Sequence, residues 1–118
     1  MLKFYQCEQC DKVIISKEAL NISGYKELIP SSTDAAVEKH VPVVTKKCKQ
    51  VQVNVGSVTH PMSEEHLISW IALETENGYQ VRYLTANDVP MAAFTLAAGD
   101  KVVAVYAYCN LHGLWKNQ

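Results

Sequence analysis

"HLISWIALETENGYQVRYL", residues 66–84, admits two readings. Leu67, Trp70 and Ile71 sit at helical spacing, so the apolar pattern alone suits a helix as well as a strand. Asn77-Gly78 breaks the tie. This dipeptide tolerates positive φ at both central positions of a tight hairpin, and the "YQVRYL" that follows is rich in strand formers. The stretch therefore predicts two strands joined by a hairpin turn.

Outward from it, the signals are mostly β. "VQVNV" (51–55) alternates, with Val51, Val53 and Val55 on one face, and "MAAFTLAAGDKVVAVYAY" (91–108) reads as two strands joined by a turn at Gly99 and Asp100. Several short strands with turn signals at modest intervals predict an all-β antiparallel sandwich over roughly residues 35–118. Residues 1–30 hold too little apolar material for a core of their own and predict a small hairpin-like knuckle. "PSSTDAAVEKHVP" (30–42) is the connector, in which Thr33 or Asp34 can cap one helical turn before Pro42 stops it.

Composition narrows the function. A chain of 118 residues with 48% apolar content can bury a real core, and a net charge of -1 offers no broad cationic surface for nucleic acid or anionic lipid. No stretch has the apolar length of a membrane span, and "MLKFYQCEQCDK" lacks a secretory signal's apolar run, so the cytoplasm is the expected location. In that reducing compartment Cys7, Cys10, Cys48 and Cys109 read as metal ligands or free thiols before they read as a disulfide framework.

The histidines are His40 in "EKHVP", His60 and His66 in "HPMSEEH", and His112 in "CNLHG". Cys109 and His112, three apart in one tight turn, can grip a single ion, since thiolate and neutral imidazole both offer lone pairs. His60 and His66 bracket a loop able to reach the same ion. Nitrogen and sulfur donors suit zinc, copper, iron and nickel alike, so the pattern predicts a metal without choosing it.

"EKHVP", "HPMSEEHLISWI" and "YCNLHGLW", in this order, resemble the iron-site motifs of the superoxide reductases, the family of desulfoferrodoxin and neelaredoxin. The resemblance spans residues 33–118 and takes in every histidine. It implies an immunoglobulin-like sandwich and one mononuclear iron (Fe2+/Fe3+) per chain, with His40, His60, His66 and His112 in a plane and Cys109 as axial thiolate. The implied reaction is one-electron reduction of superoxide to hydrogen peroxide, with a rubredoxin-like electron donor. By the same resemblance Lys39 attracts superoxide and helps organise a proton-donating water, Glu38 occupies the open position on ferric iron, and the backbone N–H groups of Leu111 and His112 donate to the Cys109 sulfur. Trp70, Tyr108 and Trp115 are read as packing, and Asn110 as a turn residue. A homo-oligomer, dimer or tetramer, is expected, with the apolar "KVVAVYAY" as a strand edge that a neighbour could cover.

The amino-terminal "YQCEQC" resembles the opening of a desulforedoxin-like domain, whose iron needs four thiolates. Ile22 and Ser23 stand near the place of the second cysteine pair, so residues 1–32 are read as a degenerate knuckle domain without a second iron, and 33–118 as the iron-binding domain. Cys7 and Cys10 are left as a site shared between subunits, a reversible disulfide or free thiols. Cys48, in "KKCKQV", is placed at a turn or strand edge and outside the ligand set. Two other readings differ in chemistry: a zinc hydrolase, disfavoured because five strong ligands crowd out an activated water, and a non-catalytic sandwich whose metal serves structure or electron transfer.

Overall fold

The computed structural model describes residues 1–118. Ten strands and one helical turn follow in order: β1 (Lys3–Cys7), β2 (Val13–Ser16), β3 (Tyr25–Leu28), α1 (Val37–His40), β4 (Pro42–Lys47), β5 (Gln50–Val55), β6 (Ile68–Thr75), β7 (Gly78–Tyr83), β8 (Met91–Thr95), β9 (Val102–Cys109) and β10 (Gly113–Lys116). They form three antiparallel sheets with orders β2-β1-β3, β10-β9-β6-β7 and β4-β5-β8. The last two make the expected seven-stranded, immunoglobulin-like sandwich, and the first is the knuckle.

Residue 66–84 does fold as a hairpin, but its turn sits one residue earlier than the dipeptide suggests. Thr75 pairs with Gly78, leaving Glu76 and Asn77 at the centre, and the residues with positive φ all lie elsewhere. A neighbour holds the turn: Glu76 N–H donates to the Lys101 carbonyl (3.0 Å) and Asn77 N–H to Asp100 Oδ1 (3.3 Å). Those bonds come from the 97–101 connection, where Gly99 takes a φ of +79°. Helix α1 forms where expected, yet its N-cap is Ala36 without a side-chain cap, so Thr33 and Asp34 stand too far upstream to serve. Cys48 lies exposed in the β4–β5 turn, as its basic surroundings suggest.

Alternation sorts the core. Val51, Val53 and Val55 of β5 meet Ile71, Leu73, Val105 and Ala107 inside the sandwich. The intervening residues of β6 and β9, Trp70, Ala72, Ala104, Tyr106 and Tyr108, face the other way and pack against Phe4 of the knuckle. The knuckle thus shares a core with the sandwich, as its scant apolar content requires. Glu74, also on that face, accepts from Tyr106 Oη–H (2.9 Å) and from the Leu2 N–H (3.1 Å to Oε2), so its buried carboxylate has partners on both sides of the junction. "KVVAVYAY" is accordingly not an edge over most of its length: β9 pairs with β6 and, from Tyr106 on, with β10, and it is buried from Ala104 onward, while Val103 stays exposed. No helix is long and apolar enough to cross a membrane.

Register gathers the loops that matter at one end. Pro42 faces Val55, so α1 and the start of the 56–67 crossover leave the β4-β5-β8 sheet together. Ile68 faces Cys109, which also faces Gly113, so the end of that crossover meets the β9–β10 turn. A bulge at Ser69, between the Ile68/Cys109 and Trp70/Tyr108 pairs, reverses the alternation and turns Ile68 into the sandwich core. Gly56 lets α1 seat against the crossover: a Cβ there would lie 2.7 Å from the Glu38 carbonyl oxygen and 3.0 Å from that of Val41. Gly56→Ala should therefore cost about 1–3 kcal/mol through forced backbone displacement. A thermal melt that matches the unsubstituted protein would remove this close approach as a constraint.

Candidate metal centre

His40 ends α1, His60 and His66 lie in the 56–67 crossover, and His112 lies in the turn after Cys109. The four rings close into a square. Centroids of successive pairs are 4.7 Å (His40–His60), 4.6 Å (His60–His66), 5.1 Å (His66–His112) and 4.9 Å (His112–His40), and each pair is nearly perpendicular, at 75° to 88°. The diagonal His40–His66 is 6.4 Å at 31°. Donor atoms of His40, His66, Cys109 and His112 all lie within 4.8 Å of one another. His60 falls outside that tight set, but its Nε2 lies 3.3 Å from His40 Nε2, so it fills the fourth corner.

Tautomers follow from the backbone. His40 Nδ1–H donates to the Ala36 carbonyl (2.7 Å), and His60 Nδ1–H donates to the Pro61 carbonyl (2.6 Å). A ring nitrogen facing a carbonyl must carry the proton, which leaves a lone pair on each Nε2. These two lone pairs face each other, and His112 Nδ1 points at the same His40 Nε2 from 3.1 Å. His66 Nε2 is buried with no hydrogen-bond partner at all. An orphaned buried nitrogen beside converging lone pairs is repulsive and costly unless a cation stands among them. The donor set fits a borderline-soft metal such as iron.

Cys109 is fully buried, and burial pushes its thiol up, while N–H donation from Leu111 and His112 opposes that shift by favouring the thiolate. Trp115, read from sequence as packing, stacks on His40 (4.9 Å, 25°), and its Nε1–H donates to the His112 carbonyl (3.0 Å). Asn110 does more than suit its turn. Its Oδ1 accepts from Leu67 N–H (3.0 Å) and its Nδ2 donates to the Glu65 carbonyl (3.1 Å), clamping the His66 loop to the Cys109 turn. Sequence reading missed both this clamp and the seat at Gly56; the "CNLHG" spacing was the available signal for Asn110, but its partners lie more than forty residues away. Glu38 and Lys39 are exposed on α1 just before His40. Burial lowers the pKa of both His66 and His40; Lys39 adds to the lowering at His66, and Glu38 opposes it at His40.

Four imidazoles and a buried sulfur gathered at one end of an immunoglobulin-like sandwich make a candidate metal site with a mixed nitrogen and sulfur donor set. The desulfoferrodoxin family model matches residues 32–118, and the chain belongs to that family. It is 39% identical to the desulfoferrodoxin of Syntrophotalea carbinolica over 127 aligned positions, covering 99% of this chain and 96% of the relative. With the desulfoferrodoxin of Nitratidesulfovibrio vulgaris it shares 40% identity, across 97% of this chain and 94% of the relative. The crystal structure of the superoxide reductase from Treponema pallidum superposes with a TM-score of 0.88 at 35% identity, over 100% of this chain and 99% of that one.

Protons compete for these imidazoles. Burial, reinforced by the neighbouring rings, lowers the pKa of His40, His66 and His60, the last to about 4. An unfolded histidine titrates near 6.5, so between roughly pH 6.5 and 4 the unfolded chain binds more protons than the folded one, and stability rises with pH. The urea midpoint of metal-free protein should therefore fall as pH is lowered through that window, the histidine contribution being complete near pH 4. A midpoint constant from pH 7 to 4.5 would contradict neutral buried imidazoles.

Proposed function

We propose that this chain reduces superoxide to hydrogen peroxide at a single mononuclear iron per chain, which His40, His60, His66, His112 and Cys109 would hold. The observation that carries this reading is the ring of imidazoles with an orphaned His66 Nε2, gathered with a buried cysteine sulfur. Its placement in a family with a superoxide reductase so close in structure supplies the substrate. When bound, iron supplies the one-electron chemistry, and the balance is superoxide plus one electron and two protons giving hydrogen peroxide.

The residues divide the remaining work. Ala36 and Pro61 hold the protons on the far side of His40 and His60, so both rings present lone pairs in fixed orientation. Leu111 and His112 N–H groups stabilise the Cys109 thiolate, and such donors raise the reduction potential of a thiolate-ligated site. Four neutral imidazoles and one thiolate keep the bound ion cationic, so an anion is drawn in while sulfur keeps the centre electron-rich. Solvent reaches the cluster through the half-buried His66 and His112, away from the enclosed sulfur. On this reading exposed Lys39 would draw superoxide toward the cluster and order a proton-donating water, and exposed Glu38, one residue further from His40, would supply a carboxylate ligand to the oxidised iron.

We assign the electron donor to the rubredoxin-like carriers and the location to the cytoplasm. A homo-oligomer, dimer or tetramer, is supported by the open edge of β7, which exposes Tyr79 and Tyr83. A second iron at Cys7 and Cys10 is not part of this reading, because two thiols cannot close a tetrahedral site within one chain.

Elemental analysis with visible spectra tests the centre. Iron-reconstituted protein should hold about one iron per chain by the ligand count. It should also show a thiolate-to-ferric band on oxidation that Cys109→Ser abolishes. Reconstituted protein without such a band would remove the proposed donor set, and a spectrum indifferent to azide or cyanide would favour a closed, non-catalytic metal. Lys39→Ala should slow the second-order reaction with superoxide by about tenfold at low ionic strength, with the difference shrinking as salt screens the charge. An unchanged rate in pulse radiolysis would end the steering role.

A further inference from the structure

The other pair of chemically capable side chains lies in the knuckle. Cys7 closes β1 and is joined to Cys10 by a disulfide, with Cα atoms 5.3 Å apart. Cys10 is exposed and Cys7 half-buried. We propose that Cys7–Cys10 is a thiol–disulfide exchange site that takes two electrons from a dithiol reductant.

Three observations carry it. First, the bond spans only Glu8 and Gln9, and the entropic stabilisation from a cross-link is smallest for so short a loop. Second, the backbone of this loop is held without the bond: Cys7 N–H donates to the Lys12 carbonyl (2.9 Å) and Glu8 N–H to the Gly24 carbonyl (2.8 Å). Strand β1 is paired on both sides, Phe4 is buried in the shared core, and Tyr5 Oη accepts from Leu20 N–H (2.8 Å), so opening the disulfide leaves the knuckle's framework standing. Third, an attacking sulfur can reach it. Cys10 is exposed on the surface of the knuckle, and the open cleft of about 280 Å³ next to it is lined by Asp11 and Lys12 and not by either cysteine.

No other cysteine of the chain serves this pair. Cys109 is enclosed at the metal centre, and Cys48 lies in a turn of the β4-β5-β8 sheet. The reductant is therefore external. One thiolate of the dithiol attacks the accessible Cys10 Sγ, the Cys7–Cys10 bond breaks, and Cys7 leaves as a thiolate that takes a proton from solvent. The second thiol of the reductant then attacks its own sulfur in the mixed disulfide, releasing Cys10 as a thiol and leaving the reductant as a disulfide. Two electrons and two protons pass to the protein.

The test uses the full-length, metal-loaded protein, equilibrated anaerobically in buffers of varied reduced-to-oxidised dithiothreitol ratio, quenched, alkylated and mapped by mass spectrometry. Cys7 and Cys10 should become alkylated together as the ratio rises and close again as it falls, while near-ultraviolet circular dichroism stays constant. A pair that remains bridged in excess reduced dithiothreitol until urea unfolds the chain would overturn the proposal, as would a pair that is alkylated whatever the ratio. The attacked sulfur is read separately. In Cys7→Ser, Cys10 should take up glutathione from its oxidised form several-fold faster than Cys7 does in Cys10→Ser; equal or reversed rates would overturn that assignment.

Discussion

Strands β6 and β9 run side by side through the middle of the molecule and are covered on both faces over most of their length, and every other layer takes its position from that pair. One face supplies Ile71, Leu73, Val105 and Ala107 to the sandwich, and the other supplies Trp70, Ala72, Tyr106 and Tyr108 to the knuckle. Such two-sided burial demands near-continuous apolar sequence, which is what "ISWIAL" and "VVAVYAYC" are. Polar exceptions need partners, and Glu74 has them in Tyr106 and Leu2.

The metal centre inherits its precision from the same pair. The bulge at Ser69 sets Ile68 opposite Cys109, and that register brings the end of the histidine-bearing crossover to the turn holding His112. Asn110 then ties the two loops side chain to backbone, and Trp115, on the neighbouring strand β10, covers His40 while fixing the His112 carbonyl. Rigid strands therefore hold a site built almost wholly from loops, so the lone pairs can converge before any ion arrives. Convergence of that kind is costly in the metal-free state, which is why protons and metal compete for the same nitrogens.

Much of this was legible beforehand, for specific reasons. The valines of "VQVNV" advertise a half-buried strand by alternation, and all three are core. The spacing of Cys109 and His112 advertises a donor pair because both lie in one turn. Less could be read where the cause is non-local. Asn77-Gly78 announced a hairpin but misplaced its turn, since bonds from Asp100 and Lys101 settle the register. "KVVAVYAY" looked like an edge because pattern reports apolar character and not the number of neighbours. No local signal marks Gly56, whose missing side chain matters only because α1 lies across it.

Sequence by itself determined the class of fold and which residue types could serve as donors, because alternation, turn residues and side-chain chemistry are properties of short segments. Tertiary structure alone decided which nitrogen of each imidazole faces inward, that His66 Nε2 is left without a partner, and that Cys7 and Cys10 meet as a disulfide at the rim of the knuckle. The physical reason is distance along the chain. His40 and His112 are 72 residues apart, and only the shared register of two sheets carries their nitrogens to within 3.1 Å.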